Sequence, residues 1–283
     1  MDTLQVENLH FRYHDKKILN GINFTVEQGE VFCVFGPNGC GKTTMLDCIL
    51  GLNKPEEGNI TIDGRNLTAM SPPQKAQKIA YVSQKSDRTF PYTVLEIVLM
   101  GRTAYTGMFS SPGPEDLAIA KNALDSVGMY NFRDRVYTKL SGGEAQLVKI
   151  ARAIAQNAEL IIFDEPTSHL DFRHELNVIR YIAKITKEKN ISVIMATHFP
   201  NHAYFFESLG LPTRVALMEN GAFEALGIPS EVLNQENMAK IFKIRTKNFR
   251  DSEGDKVLNF VVPIDFCAGG EWNEHEHKQE TYK

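Results

Sequence analysis

A glycine-rich run near the start of the chain has the residue types that phosphate and metal chemistry need. It fits the pattern G-x-x-x-x-G-K-[ST] and comprises Gly36, Pro37, Asn38, Gly39, Cys40, Gly41, Lys42, Thr43 and Thr44. The glycines let backbone N–H groups close around phosphate oxygens, while Lys42 and Thr43 serve the terminal phosphates and Mg²⁺. The run therefore predicts a site for a nucleotide and Mg²⁺.

Two adjacent acidic residues suit the metal and the water of a phosphoryl-transfer reaction. Asp164 and Glu165 directly follow an apolar run, Leu160 to Phe163, that predicts a buried strand. At the carboxyl edge of a parallel sheet, Asp164 can hold Mg²⁺ through its water. Because the chain turns at Pro166, both carboxylates can face the cleft, and Glu165 is predicted to polarise the attacking water.

Two further polar residues end predicted strands. Gln84 follows the strand predicted at Ile79 to Ser83, and it can contact Mg²⁺ or the lytic water. His198 ends the strand predicted at Ile191 to Thr197, and it can donate to a γ-phosphate. Either residue taken alone would more often be structural. We predict both as catalytic residues beside Glu165, with Gln84 also as a metal ligand.

A second anion site is predicted where a helix begins. The residues at its start are Ser141, Gly142, Gly143 and Glu144, and the helix is indicated by the apolar spacing of Leu147, Ile150, Ala151 and Ile154. Free N–H groups and the helix dipole make such a start suitable for a phosphate. This phosphate is expected to differ from the one held by Lys42.

The elements that must position these residues follow the order of an α/β protein. A strand at Val31 to Phe35 precedes the glycine-rich loop, and a helix at Thr44 to Leu50 follows it. Residues 1–30 alternate in polarity, which predicts two antiparallel strands with Asn20-Gly21 as a hairpin-type turn. Later strands alternate with helices and predict a parallel sheet, with a helical insertion from about Thr93 to Asn157.

Residues 231–283 are predicted to form a C-terminal extension. It carries a helix near Glu236 to Phe242, two possible strands around Ile244 to Arg250 and Val257 to Val262, and a polar end. Metal-capable side chains alternate from Glu274 to His277, but their spacing defines no tetrahedral site. A solvated tail is therefore favoured there.

Composition narrows the classes of function. The chain has 283 residues and a net charge of -4, so no global basic field argues for a nucleic-acid partner. No long uncharged apolar stretch and no signal peptide are evident, which predicts a cytoplasmic location. The cysteines show no C-x-x-C pairing and are predicted to be reduced; they are Cys33, Cys40, Cys48 and Cys267.

Together these motifs resemble the ATP-binding-cassette nucleotide-binding subunits over about residues 1–230. The resemblance implies an ATPase that uses ATP and Mg²⁺. Its fold would be a P-loop NTPase (RecA-like) core with an antiparallel β subdomain and a helical subdomain inserted at about residues 90–157. Leu140 to Glu144 would be the signature motif, Gln84 the glutamine loop and His198 the switch histidine.

Several finer points rest on the same resemblance. Ser168-His169-Leu170-Asp171 is the family's loop after the catalytic glutamate, and Tyr13 stands where the family places an adenine-stacking aromatic. A core tyrosine is the competing explanation for Tyr13. Cys40 occupies a position often held by serine; we expect an inert thiol, although sensitivity to oxidation stays open. Leu147-Val148-Lys149 departs slightly from the family's usual string.

In this family the signature motif serves the ATP of a second subunit. The resemblance therefore implies a homodimer, in which two copies pack head to tail with two ATP molecules at the interface. ATP binding would favour the closed dimer, and hydrolysis would let the copies separate.

A narrower resemblance concerns the class of transporter. Glu165 to Asp171 and Val98 to Arg102 are similar to segments of importers of iron chelates, haem, cobalamin and oxyanions such as molybdate. This implies a peripheral protein on the inner face of the plasma membrane, energising uptake through a separate integral membrane permease. An extracytoplasmic substrate-binding protein would be an indirect partner, and the surface from Gln84 to Arg102 would receive a permease helix.

Other cassette proteins provide the alternatives. A soluble cassette ATPase acting on a protein complex, as in iron-sulfur cluster assembly, is the main one, and the long segment Thr93 to Asn157 argues mildly against it. A chromosome or repair ATPase would need a long coiled coil or a basic face, which are not evident. A translation-associated factor would usually carry two cassettes in tandem.

Overall fold

A computed structural model describes residues 2–84, 90–106, 111–253 and 256–267. Its central element is a six-stranded sheet. The strands of this sheet are β3 (Val31–Phe35), β6 (Ile79–Val82), β7 (Leu160–Asp164), β8 (Ser192–Ala196), β9 (Thr213–Glu219) and β10 (Ala222–Gly227). They lie in the order β10-β9-β3-β8-β7-β6, and all neighbours are parallel except the β9–β10 hairpin.

The middle of this sheet is buried on both faces. Every residue of β3, β7 and β8 is buried, as expected for apolar runs in a parallel sheet covered by other elements. The carboxyl ends of β3, β6, β7 and β8 lie at one edge. Four chain segments therefore meet there: the glycine-rich loop, Gln84, the acidic pair and His198. The predicted parallel sheet and α/β fold are confirmed.

A second, antiparallel sheet is formed mainly by the start of the chain. Its order is β2-β1-β4-β5, and its strands are β1 (Asp2–Tyr13), β2 (Lys16–Glu27), β4 (Glu57–Ile62) and β5 (Arg65–Asn66). The two predicted strands before residue 30 are confirmed, but the predicted turn at Asn20-Gly21 is wrong. The hairpin turns at His14-Asp15, and Gly21, with φ of 70°, lies within β2 at a register shift. A β-bulge uses the same positive φ that a tight turn needs.

Helices flank the sheets. They are α1 (Lys42–Ile49), α2 (Pro72–Lys78), α3 (Val94–Leu99), α4 (Pro114–Ser126), α5 (Gly142–Ala155), α6 (Phe172–Lys189), α7 (Asn201–Ser208), α8 (Pro229–Val232) and α9 (Gln235–Phe242). Helices α3, α4 and α5 pack together and occupy the predicted helical insertion. None of the helices in the described ranges is long and apolar enough to span a bilayer.

The end of the described chain folds back onto α7. Strands β11 (Ile244–Glu253) and β12 (Lys256–Phe266) form an antiparallel hairpin, and with α9 they confirm the predicted helix and strands. The Asn201 side chain accepts from the Val261 N–H at 2.8 Å and donates to the Val261 carbonyl at 3.2 Å. The domain boundary at residue 230 stays a prediction, and Glu274 to His277 lie outside the described residues.

Candidate nucleotide-binding site

The glycine-rich loop runs from β3 to α1 through positions that have no room for a side chain. A Cβ at Gly36 would lie 2.3 Å from the Met218 carbonyl oxygen and 2.6 Å from Cys40 Sγ. Gly41 has a φ of 111°, and a Cβ there would lie 2.8 Å from Met218 Cε. Both positions therefore require glycine, because any other residue would clash or be strained.

Backbone N–H groups of the loop are available to an anion. In the described part of the chain, none of the N–H groups of Gly39, Gly41, Lys42, Thr43 and Thr44 has a protein acceptor. The last three begin α1, where a helix leaves its first N–H groups unpaired and presents the positive end of its dipole. The loop thus has the donors that phosphate oxygens need.

Lys42 is held inside this loop. Its side chain is buried, and Nζ donates to the carbonyls of Gly36 at 2.7 Å and Pro37 at 3.1 Å. Cys40 Sγ lies 3.9 Å from the same ammonium group. Burial nevertheless raises the pKa of the Cys40 thiol, outweighing the opposite effect of Lys42. A thiol that stays protonated fits the expectation of an inert Cys40.

Hard oxygen donors gather beside the loop. Thr43 Oγ1 and the Tyr81 hydroxyl each donate to Asp164 Oδ2, both at 3.4 Å. Burial, and secondarily the charge of Glu165, raises the pKa of the Asp164 carboxyl. A cation at this position would relieve that unfavourable burial of charge, and hydroxyl and carboxylate oxygens are ligands that Mg²⁺ prefers. The donor set therefore fits Mg²⁺, with Thr43 and Asp164 as the residues that would hold it.

Glu165 lies at the centre of a cluster of polar side chains. Its φ of 48° is left-handed, so the chain leaves the strand alternation at this residue and turns towards Pro166. Glu165 Oε2 accepts from Gln84 Nε2 at 2.7 Å, and Glu165 Oε1 is paired with His198 Nε2. The structure thus brings together the three residues predicted as catalytic. Among described residues, Gln84 contacts Glu165 and not Asp164 or Thr43 through its side chain.

The second predicted anion site lies at the start of α5. Ser141 is the N-cap residue, and it exchanges hydrogen bonds with Glu144: the Ser141 N–H donates to Glu144 Oε2 at 2.8 Å, and the Glu144 N–H donates to Ser141 Oγ at 3.3 Å. A Cβ at Gly143 would lie 2.1 Å from His174 Cδ2. Asp171, the N-cap of α6, holds the His174 ring through Nδ1 at 2.8 Å.

The signature residues are separate from the Lys42 site within one chain. In the ranges that the structure describes, no hydrogen bond or ion pair joins Ser141, Gly142, Gly143 or Glu144 to the loop at 36–44. No direct bond thus links the two predicted anion sites within the described residues. That the phosphate at the start of α5 differs from the one held by Lys42 stays a prediction.

Tyr13 lies at the end of β1 with its ring half-exposed, at 47%. Its hydroxyl accepts from Asn53 Nδ2 at 3.0 Å, and its ring meets Phe11 edge-on. This exposure does not fit a core tyrosine, and it leaves a ring face free for stacking. Adenine stacking on Tyr13 stays a prediction.

Comparison with known proteins decides the family. The profile of the ABC transporter family matches residues 19–168. An uncharacterized ABC transporter ATP-binding protein of Haemophilus influenzae is 40% identical over 240 residues, which is 85% of this chain and 89% of that protein. The chain belongs to the ABC transporter ATP-binding family. Also similar is the molybdate import ATP-binding protein MolC of Haemophilus influenzae, 35% identical over 262 residues, covering 92% of this chain and 96% of MolC.

Solved structures agree with this assignment. A transporter described as of the metal-chelate type, in an inward-facing conformation, is 32% identical with a TM-score of 0.81 and covers 93% of this chain and 98% of that chain. A dimeric ATP-binding cassette bound to ADP and Pi is 28% identical with a TM-score of 0.66, covering 80% and 98% of the two chains. The present cassette is thus an ATPase subunit, and related cassettes bind adenine nucleotides and form dimers.

The cassette also uses residues that the motifs did not indicate. Lys149 of α5 is buried, and its Nζ donates to the carbonyls of Ser83 at 2.6 Å and Gln84 at 3.4 Å. It thereby joins the signature helix to the segment that carries Gln84. The sequence signal that could have indicated Lys149 is the presence of a lysine on the buried face of an apolar helix. Tyr81 was missed because its partner, Asp164, is far away in the sequence. His174 was missed because its contact with Gly143 is tertiary, although its bonded partner Asp171 is only three residues away.

Proposed function

We propose that this cassette is the ATP-hydrolysing subunit of an importer that takes up a metal chelate, such as an iron-siderophore, haem or cobalamin, or an oxyanion such as molybdate. The cluster of Gln84, Glu165 and His198 beside the Thr43–Asp164 pair carries the hydrolytic part of this proposal. The similarity to a molybdate import protein and to a metal-chelate type transporter supports the importer part.

The chain's own residues divide the work of binding. The N–H groups of the loop and the Lys42 ammonium would bind phosphate oxygens, while Tyr13 would stack on adenine. Thr43 and Asp164 would hold Mg²⁺, and Gln84, whose side chain is bonded to Glu165, is the further predicted ligand. When bound, Mg²⁺ would neutralise charge that develops on the phosphates.

Glu165 would act as the general base. Its carboxylate takes a proton from the water that attacks the terminal phosphate. Gln84 orients this carboxylate through Oε2, and His198 pairs with Oε1, so the carboxylate is fixed on two sides. Because His198 carries N–H donors, it can also turn its ring towards the γ-phosphate.

The working unit would be a head-to-tail homodimer. Ser141, Gly142, Gly143 and Glu144 make no bond to the Lys42 loop of their own chain in the described ranges, and a second copy facing that loop could bring the start of its α5 to the bound ATP. Asp171 precedes α6 beside the same surface and holds His174 against Gly143. Two ATP molecules would then lie at the interface, and loss of the γ-phosphate would weaken the dimer.

The dimer would be a peripheral protein on the inner face of the plasma membrane. It would contact a separate integral membrane permease through the surface from Gln84 to Arg102, and only indirectly an extracytoplasmic substrate-binding protein. The exposed aromatic residues Phe90, Tyr92 and Tyr105 near this surface fit a protein contact.

The test is a pull-down with tagged Glu165→Gln protein from native-host membranes, with and without ATP. Loss of the general base should lower ATP turnover by about 10²-fold or more and trap the ATP-bound dimer. A polytopic permease should co-purify, and its neighbouring binding-protein gene would narrow the cargo.

A matched control is Glu188→Gln, the same change at an exposed position of α6, which should turn over ATP at the native rate. Native turnover in Glu165→Gln would refute the role of Glu165. Capture of soluble proteins alone would remove the transport claim and favour a cassette acting on a protein complex.

A further inference from the structure

A buried chain of hydrogen bonds connects the loop that carries His198 to helix α6. Its centre is His202, in the first turn of α7, which is only 6% exposed. His202 Nε2 lies 2.7 Å from Glu175 Oε1, and His202 Nδ1 lies 3.1 Å from Thr197 Oγ1. An ionised carboxylate only accepts, so the neutral His202 ring would donate through Nε2 to Glu175 and accept at Nδ1 from the Thr197 hydroxyl.

Thr197 extends this chain of hydrogen bonds to the backbone on either side of His198. Its Oγ1 accepts from the Phe199 N–H at 3.1 Å, and its own N–H donates to the Val34 carbonyl at 3.2 Å. The Phe199 carbonyl in turn accepts from the His202 N–H at 3.1 Å. The backbone before and after His198 is therefore held by bonds that converge on His202 and Thr197.

We propose that Glu175 and His202 are positioning residues that set His198 against Glu165. The inference rests on the role given to His198 in the proposed function. In the described ranges, neither residue has a hydrogen bond or ion pair to Glu165 or Gln84, so an effect on hydrolysis should pass through Thr197 and the His198 loop. Small displacements of a group that contacts the reacting atoms are costly in rate. In the described ranges, Glu175 and His202 make no bond to the loop at 36–44, so the affinity for ATP should be kept.

The test measures kcat and KM for ATP in His202→Ala, Glu175→Leu and Glu175→Gln. We expect kcat to fall about tenfold in the first two, as for loss of one buried hydrogen bond at the site, with KM unchanged. Glu175→Gln keeps an acceptor at the same place and should retain most of kcat. The matched control is Tyr204→Phe, which removes a buried hydroxyl bond to the Pro229 carbonyl from the same helix and should keep native kcat.

A positioning role also predicts that the effects do not add. In a His198→Ala background, adding His202→Ala should lower kcat no further, because the residue that His202 positions is already absent. A further tenfold fall in the double variant, or an equal loss in Tyr204→Phe, would overturn the inference and indicate a general packing role.

Two remaining outcomes are distinguishable. If His198→Ala alone turns over ATP at the native rate, the role of His198 in the proposed function fails, and the inference fails with it. If His198→Ala is impaired but His202→Ala and Glu175→Leu are native, only the inference fails. Should His202→Ala not fold, as judged by its thermal transition, the comparison of Glu175→Leu with Glu175→Gln decides the question.

Discussion

Asp164 is a residue of the candidate site that lowers the stability of the folded protein when its carboxyl is ionised. It is 7% exposed, and burial together with the charge of Glu165 raises the pKa of its carboxyl. A carboxyl whose pKa is higher in the folded state destabilises the fold once it ionises. This destabilisation is absent below the unfolded pKa and complete above the folded pKa. Burying this carboxylate therefore costs folding stability but makes the position suitable for binding a cation.

Replacing this carboxyl should stabilise the protein when no nucleotide or metal is present. In thermal unfolding without Mg²⁺, we expect Asp164→Asn to have a higher Tm than the native protein at pH 7. The difference should shrink as the pH falls and vanish below about 4, near the unfolded pKa of aspartate, because both side chains are then neutral. Added Mg²⁺-ATP should raise the native Tm more than that of the variant.

The matched control is Asp125→Asn, the same change at an exposed position, where the Tm should not rise. A lower Tm for Asp164→Asn at pH 7 would mean that the Thr43 and Tyr81 hydrogen bonds outweigh the cost of burying the charge.

Among the elements, helix α7 contacts both the His198 loop and the terminal hairpin, which are far apart in the sequence. Its first turn carries His202, which holds the His198 loop, and Asn201, which binds the backbone of β12 on both its N–H and its carbonyl. The terminal hairpin is thereby attached to the helix that follows His198. A displacement of the hairpin would therefore also displace the start of α7.

Removing the Asn201 side chain should loosen the hairpin. Asn201→Ala removes the side-chain partner of the Val261 N–H and carbonyl, and a hydrogen bond of this kind contributes about 1 kcal/mol. We expect faster amide hydrogen exchange along β12, about five- to tenfold for opening that costs this much less. Asn23→Ala, which removes side-chain bonds in the β1–β2 hairpin, should leave exchange in β12 unchanged. Unchanged protection of β12 in Asn201→Ala would show that apolar packing alone holds the hairpin.

Elements governed by local signals could be predicted from the sequence. The apolar spacing in α5 and the Ser141–Glu144 capping pair define that helix from its own residues. By contrast, β9, β10 and α7 were not predicted. Helix α7 is short, and its packing depends on Val261, which is far along the chain. Asn20-Gly21 led to a wrong prediction of a turn, because a β-bulge and a tight turn both use a residue with positive φ.

The same distinction applies within the site. Gln84, Asp164, Glu165 and His198 could be named because each lies at the end of a strand or within two residues after it, and parallel strands end at one edge. The connection from Glu175 through His202 to Thr197 could not be named, because it joins three elements through side chains that have no motif. What places a catalytic side chain within its cluster is a matter of tertiary contact.

At the scale of the whole molecule, the proposed head-to-tail dimer requires one chain to contain two half-sites that face different ATP molecules. A variant that damages the start of α5 should therefore spare ATP binding by the monomer and abolish the dimer. We expect Ser141→Arg, made in the Glu165→Gln background, to bind one ATP per chain with native affinity but to elute as a monomer in size-exclusion chromatography with ATP. The long cation would occupy the position of the second chain's nucleotide.

The matched control for this change is Ser71→Arg in the same background. Ser71 is also an exposed N-cap serine, at the start of α2, and its Oγ donates to Gln74 Oε1 at 3.0 Å. Both substitutions therefore place an arginine at an exposed helix start and remove one local serine hydroxyl bond. The Ser71 variant should still form the ATP-dependent dimer, because α2 is not a predicted anion site. If both variants lose the dimer, the cause is helix destabilisation. If neither does, the start of α5 does not serve a second ATP, and the head-to-tail arrangement must be replaced by another.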